Sequence, residues 1–126
     1  MTLSVNLENH YNYTLLEVVG DINASTAPIL GRALDIAIEE GNHHLVLDCS
    51  QLYTMTSAGL KVLLSRQRKL SEFHHIVMCH VSAPVTALLE ISGMTRFITI
   101  NADIHETEAL LMEADYATGH LNRSMQ

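Results

Sequence analysis

Hydroxyls, imidazoles and thiols are what this 126-residue chain offers for chemistry. Thr56 and Ser57 stand side by side ahead of two small residues, Ala58 and Gly59, and an apolar pattern of helical period. A hydroxyl there is the commonest helix N-cap, worth about 1 kcal/mol. The small neighbours also leave it, and the first backbone N–H groups of the helix, open to an approaching partner. A phosphate on Ser57 would meet those N–H groups and the positive end of the helix dipole. It would bring about −1.5 to −2 charges at neutral pH.

Other chemistries are poorly assembled. Of the eight histidines, His43-His44 and His74-His75 are adjacent pairs, and neighbours on an extended chain point in opposite directions. His75 and Cys79 share a strand face but lie ~13 Å apart. Four ligands for a structural zinc do not come together, so these histidines read as residues at strand entrances. Met55 stands two residues before Ser57, which breaks the G-x-S-x-G pattern of a serine hydrolase. Neither G-x-x-x-x-G-K-[ST] nor G-x-G-x-x-G occurs, so no phosphate-cradling loop is expected. A small metal- or serine-dependent hydrolase is therefore the least supported class; no catalytic, metal or cofactor site is expected.

The hydroxyl pair needs elements to position it. Leu45-Val46-Leu47 is a short apolar run that predicts a buried strand, followed by a polar connection. Leu60, Leu63, Leu64, Gln67 and Leu70 then mark one side of a helix. Before this unit, Leu3–Leu7 alternates and Tyr13–Val19 is apolar, predicting an antiparallel hairpin that Gly20-Asp21 ends. Ser25 or Thr26 caps a helix with Pro28 in its first turn, Ile29, Ala33, Ile36 and Ala37 on one side, and Leu30, Leu34 and Ile38 widening the stripe. After it, Ile76–Val81 reads as a parallel strand covered on both faces. A short helix runs from Val85 to Gly93, and Phe97–Ile100 is a further strand. Asp103–Ala114 is a last helix with Ile104, Leu110 and Leu111 inward, capped from Asn101 or Asp103. The order β-β-α-β-α-β-α-β-α predicts an α/β fold with a mixed, mostly parallel sheet of five strands and four helices. Residues 1–115 form one domain and 116–126 a frayed tail.

Composition limits the partners. A formal charge of −7 argues against direct nucleic-acid binding. Four of the seven basic residues, Lys61, Arg66, Arg68 and Lys69, follow Ser57 and read as a solvated helix face. Cys49 and Cys79 read as buried thiols of a reducing compartment, although spacing alone leaves a disulfide open. With no signal-peptide pattern and no apolar run approaching ~18 residues, a cytoplasmic location without membrane insertion is expected.

Three stretches resemble the STAS domain family, in its stand-alone anti-sigma factor antagonist form. Val19–Ala27 is similar to the family's glycine-led loop into its first helix. Leu47-Asp48-Cys49-Ser50 with Met55–Leu60 resembles its D-x-S…D-S-S-G-L signature, and Met78–Gly93 its closing part. The resemblance implies a non-enzymatic regulator of transcription without a cofactor. It implies that Ser57 is phosphorylated by a partner that is both anti-sigma factor and serine kinase, and that a serine phosphatase resets the switch. The docking face implied comprises Asp21, Asn23, Thr26, Thr56, Ser57, Ala58, Gly59 and Lys61. Asn23 and Thr56 stand where many members carry Asp, which makes the rim less acidic. The same resemblance admits an alternative, a scaffold subunit of a lipid-transport ATPase or stress-signalling assembly without a phospho-switch.

Overall fold

A computed structural model of the chain describes residues 2–41, 44–70, 74–101 and 103–118. The sheet has five strands in chain order: β1 (Leu3–Asn9), β2 (Tyr13–Ile22), β3 (His44–Met55), β4 (His75–Cys79) and β5 (Thr99–Asn101). β1 and β2 form the antiparallel hairpin, and β2 to β5 are parallel. The helices are α1 (Ala27–Glu39), α2 (Ser57–Gln67), α3 (Ala83–Ile91) and α4 (Ile104–Thr118), with a short 3-10 turn at Met94–Arg96. The expected class and element order are both present.

Strand order explains where the helices lie. Each parallel strand is followed by its spatial neighbour, always in the same direction across the sheet. Right-handed crossovers in that sequence put the connecting helices on one face. The main core bears this out. Leu30, Ala33 and Leu34 of α1, Leu63 of α2 and Leu89 of α3 pack with Leu45, Leu47, Ile76 and Met78 of the sheet. The opposite face carries Tyr13, Val46, Val77 and Cys79, covered by Leu111 of α4 with Ile104 beside it. Cys49 belongs to the first cluster and Cys79 to the second, and both are free thiols. They point to opposite faces of the sheet, which rules out a bridge between them.

Several boundaries differ from expectation. β2 continues through Gly20 and Asp21 to Ile22. Gly20 takes φ +123, and a Cβ there would lie 2.1 Å from the Thr2 carbonyl oxygen. The glycine therefore lets β1 close on the strand rather than stopping it. β3 absorbs the expected polar connection, because Leu52 and Met55 turn inward while Asp21 and Ile22 pair with Thr54 and Met55. Two register shifts against β2 disturb strict alternation and hide the strand from a period-2 pattern. β5 is shorter than expected, starting at Thr99 after the exposed Phe97. In α1 the expected Leu30, Ala33, Leu34 and Ala37 are inward, but Ile36 is half exposed. In α4 Leu110 is exposed and Thr107 takes an inward place. Asp103 supplies the expected cap, its carboxylate accepting from Glu106 N–H at 2.8 Å. α4 runs to Thr118, and the remaining part of the expected tail, 119–126, lies outside the described residues. So do His43 and the side chain of His75.

Candidate functional site

The carboxyl ends of β2 and β3 bring the expected site residues together. In-register pairing sets Asp21 against Thr54, and the Thr54 hydroxyl donates to the Asp21 carboxylate at 2.6 Å. One residue further on, Thr56 N–H donates to the Ile22 carbonyl at 2.9 Å. The two strand ends are thus tied side by side, and their following segments emerge together: 23–26 into α1, 56–57 into α2.

The first of these is braced from within. The Asn23 side-chain oxygen accepts from Ser25 N–H at 2.9 Å and Thr26 N–H at 3.1 Å. The Thr26 hydroxyl donates to the Asp21 carbonyl at 2.7 Å and accepts from Asn23 N–H at 2.9 Å. Thr26 is 5% exposed, so it shapes the loop and is not available for contact. Among the described residues the Asn23 side chain bonds through its oxygen as acceptor, a part a carboxylate plays equally well. Asn in place of Asp preserves the brace and removes a charge.

The second segment leaves Ser57 outward. Thr56 is the N-cap of α2, extended at φ −106 and ψ 178, and its side chain makes no capping hydrogen bond. Ser57 is the first helical residue and is exposed. The capping position thus falls on Thr56, and the Ser57 hydroxyl stands free of that duty. No acidic residue occupies the first turn of α2. Gly59 is buried, and a Cβ on it would come within 2.8 Å of Ile22 Cγ2 and of Met55 Cγ. Its lack of a side chain lets the helix sit directly on the strand ends. Ala58 is half-buried against the core, while Lys61, one turn beyond Ser57, is exposed. Of the expected docking residues, Thr56, Ser57 and Lys61 are exposed, Asp21 and Asn23 half-buried, and Thr26 and Gly59 structural.

Other groups lie elsewhere. Arg66 of α2 forks onto the Asp35 carboxylate of α1, with two N–H to O distances of 3.0 Å. Lys69 approaches the same carboxylate at 3.4 Å. Arg66 thus ties α2 to α1, and Lys69, just beyond the end of α2, reaches the same carboxylate, so neither belongs to a wholly solvated face. The Arg66 hydrogen bond, helped by both nearby positive charges, holds the Asp35 carboxyl below the usual carboxylate range. Burial drives both thiols upward, Cys49 strongly, so neither is a ready nucleophile. Among the described residues no three of His, Cys, Asp and Glu converge to hold a metal ion. Nor is any helix long and apolar enough to cross a membrane. A cleft of about 460 Å³ lined by Thr86, Glu90, Thr95, Ile98, Thr99 and Ile100 lies beside β5, the edge strand two strands across from β3. The candidate site at Ser57 is an exposed helix start.

The family model described as the STAS domain matches residues 4–107. The chain belongs to the STAS domain family. An anti-sigma F factor antagonist of Paenibacillus polymyxa is 28% identical over 102 residues, spanning 79% of this chain and 87% of that protein. Among solved STAS folds, an anti-sigma factor antagonist from Mycobacterium paratuberculosis superposes with a TM-score of 0.81 at 20% identity, covering 87% and 94% of the two chains. The Bacillus cell fate determinant SpoIIAA in its phosphorylated form gives a TM-score of 0.64 at 15% identity, covering 85% and 99%. At such identities the structural likeness speaks to the fold.

Two residues at the end of β3 escape the sequence pattern. Thr54 fixes the Asp21 carboxylate, and Tyr53 beside it is 63% exposed. Both fall in the segment expected to be a loop; the spacing of the inward Leu52 and Met55 was the available signal.

Proposed function

We propose that this chain is a cytoplasmic anti-sigma factor antagonist: a non-enzymatic docking module, without a cofactor, that binds an anti-sigma factor with serine-kinase activity. The unmodified protein sequesters that partner and frees a sigma factor. Phosphorylation at Ser57 breaks the contact, and a serine phosphatase restores it. The observation that carries this reading is the placement of Ser57, exposed at the first position of a helix whose first turn has no carboxylate. The relative from Paenibacillus polymyxa, named an anti-sigma F factor antagonist, supports it. So does the existence of a phosphorylated form of the structurally similar SpoIIAA.

The docking face comprises Asp21, Asn23, Thr56, Ser57, Ala58 and Lys61, with Tyr53 as an aromatic anchor of the kind that dominates many interfaces. Desolvating a phosphoryl dianion in such a contact costs several kcal/mol even beside a single cation, and about 1.4 kcal/mol is tenfold in affinity. Release therefore requires no refolding. Incubation with a cognate anti-sigma kinase and ATP is expected to add one phosphoryl group by intact mass, and Ser57→Ala to abolish the addition. Undiminished phosphorylation of Ser57→Ala would move the switch elsewhere.

A further inference from the structure

Lys61 lies four residues after Ser57 on α2, and both side chains are exposed. Residues so spaced share one helix face, their Cβ atoms about 5–6 Å apart. An anion N-terminal to a cation at this spacing is the favourable orientation. Lys61 takes part in no ion pair among the described residues, unlike Arg66 and Lys69, which are committed to Asp35. The segments 23–26 and 56–59 that surround this turn carry no charge. Of the strands meeting it, β2 brings Asp21, whose carboxylate is engaged by Thr54, and β3 brings Tyr53.

We infer that Lys61 is an in-built counter-charge for a phosphoryl group on Ser57, pairing with it along the helix and stabilising its dianionic form. The inference rests on Ser57 being the modified residue and adds what the chain itself does with the modification. Lys61 acts here as a positioning residue: it holds the phosphate against the first turn of α2. The free protein thereby fixes where the new charge stands before any partner arrives.

The test uses the full-length chain with phosphoserine placed at position 57 during translation, so that no kinase is needed. The second ionisation of the phosphate is followed by ³¹P NMR across pH at low salt. Lys61→Gln is expected to raise the midpoint by about 0.3 pH unit, roughly a twofold change in the dissociation constant. Lys61→Arg is expected to restore the parent value, and 1 M salt to abolish the difference. Equal midpoints in all three proteins at low salt would overturn the pairing while leaving partner release by phosphorylation intact. Conversely, failure of any kinase to modify Ser57 would not alter this titration.

Discussion

Thr56 occupies the N-cap of α2, so the adjacent Ser57 is spared the commonest duty of a hydroxyl at a helix start and faces solvent. Asn23 illustrates the converse, a polar residue on the expected docking face whose side-chain oxygen is spent on two backbone N–H groups. Replacing it by Ala should therefore cost about 1 kcal/mol of stability, whereas Asp should change stability little. Urea unfolding of the two variants checks this, and equal losses would show that the brace is not held by the oxygen. Gly59 makes a sharper prediction. An added methyl meets Ile22 and Met55 at under 3 Å, so Gly59→Ala should lose about 1–3 kcal/mol in the same assay and disturb the site from beneath.

At the scale of elements, α1 and α2 are joined by the Arg66–Asp35 fork. Because the folded-state pKa of Asp35 is lowered, its contribution to stability is present above the unfolded value of about 4 and is lost as pH falls through the folded value. Asp35→Asn should therefore destabilise by up to about 1 kcal/mol at neutral pH and by less under acid conditions. Denaturant midpoints at pH 7 and near pH 3 measure the difference; a penalty independent of pH would exclude the ion pair as its source. The helices and the hairpin were legible because their apolar residues keep period. β3 was legible only in its first half. Beyond Asp48 it loses β4 as a neighbour and slips register against β2, so its inward residues no longer alternate. The stretch from Ser50 to Thr54 consequently read as a loop, and with it went the roles of Tyr53 and Thr54. Ser57 itself was legible from its small neighbours, but the division of labour with Thr56 depends on one residue of helix phase, which apolar periodicity does not resolve. Thr26, expected as a cap or a docking residue, makes no side-chain cap and is buried, with hydroxyl bonds to Asp21 and Asn23 that its sequence neighbours do not announce.

For the whole molecule, a sheet laid down in chain order with α1, α2 and α3 on one face leaves the helix starts at the carboxyl edge, the end of a parallel sheet where ligands gather. No cavity is needed for a protein partner there; an exposed helix start is enough. A charge on that start is expected to dismiss the partner without disturbing the fold. The most direct measurement of that release is calorimetric binding of the cognate anti-sigma factor to two forms of the chain, one with Ser57 unmodified and one with phosphoserine at that position. The unmodified form is expected to bind, and the phosphorylated form to bind about a hundredfold or more weakly, with unchanged circular dichroism. Equal affinities for the two forms would contradict that expectation.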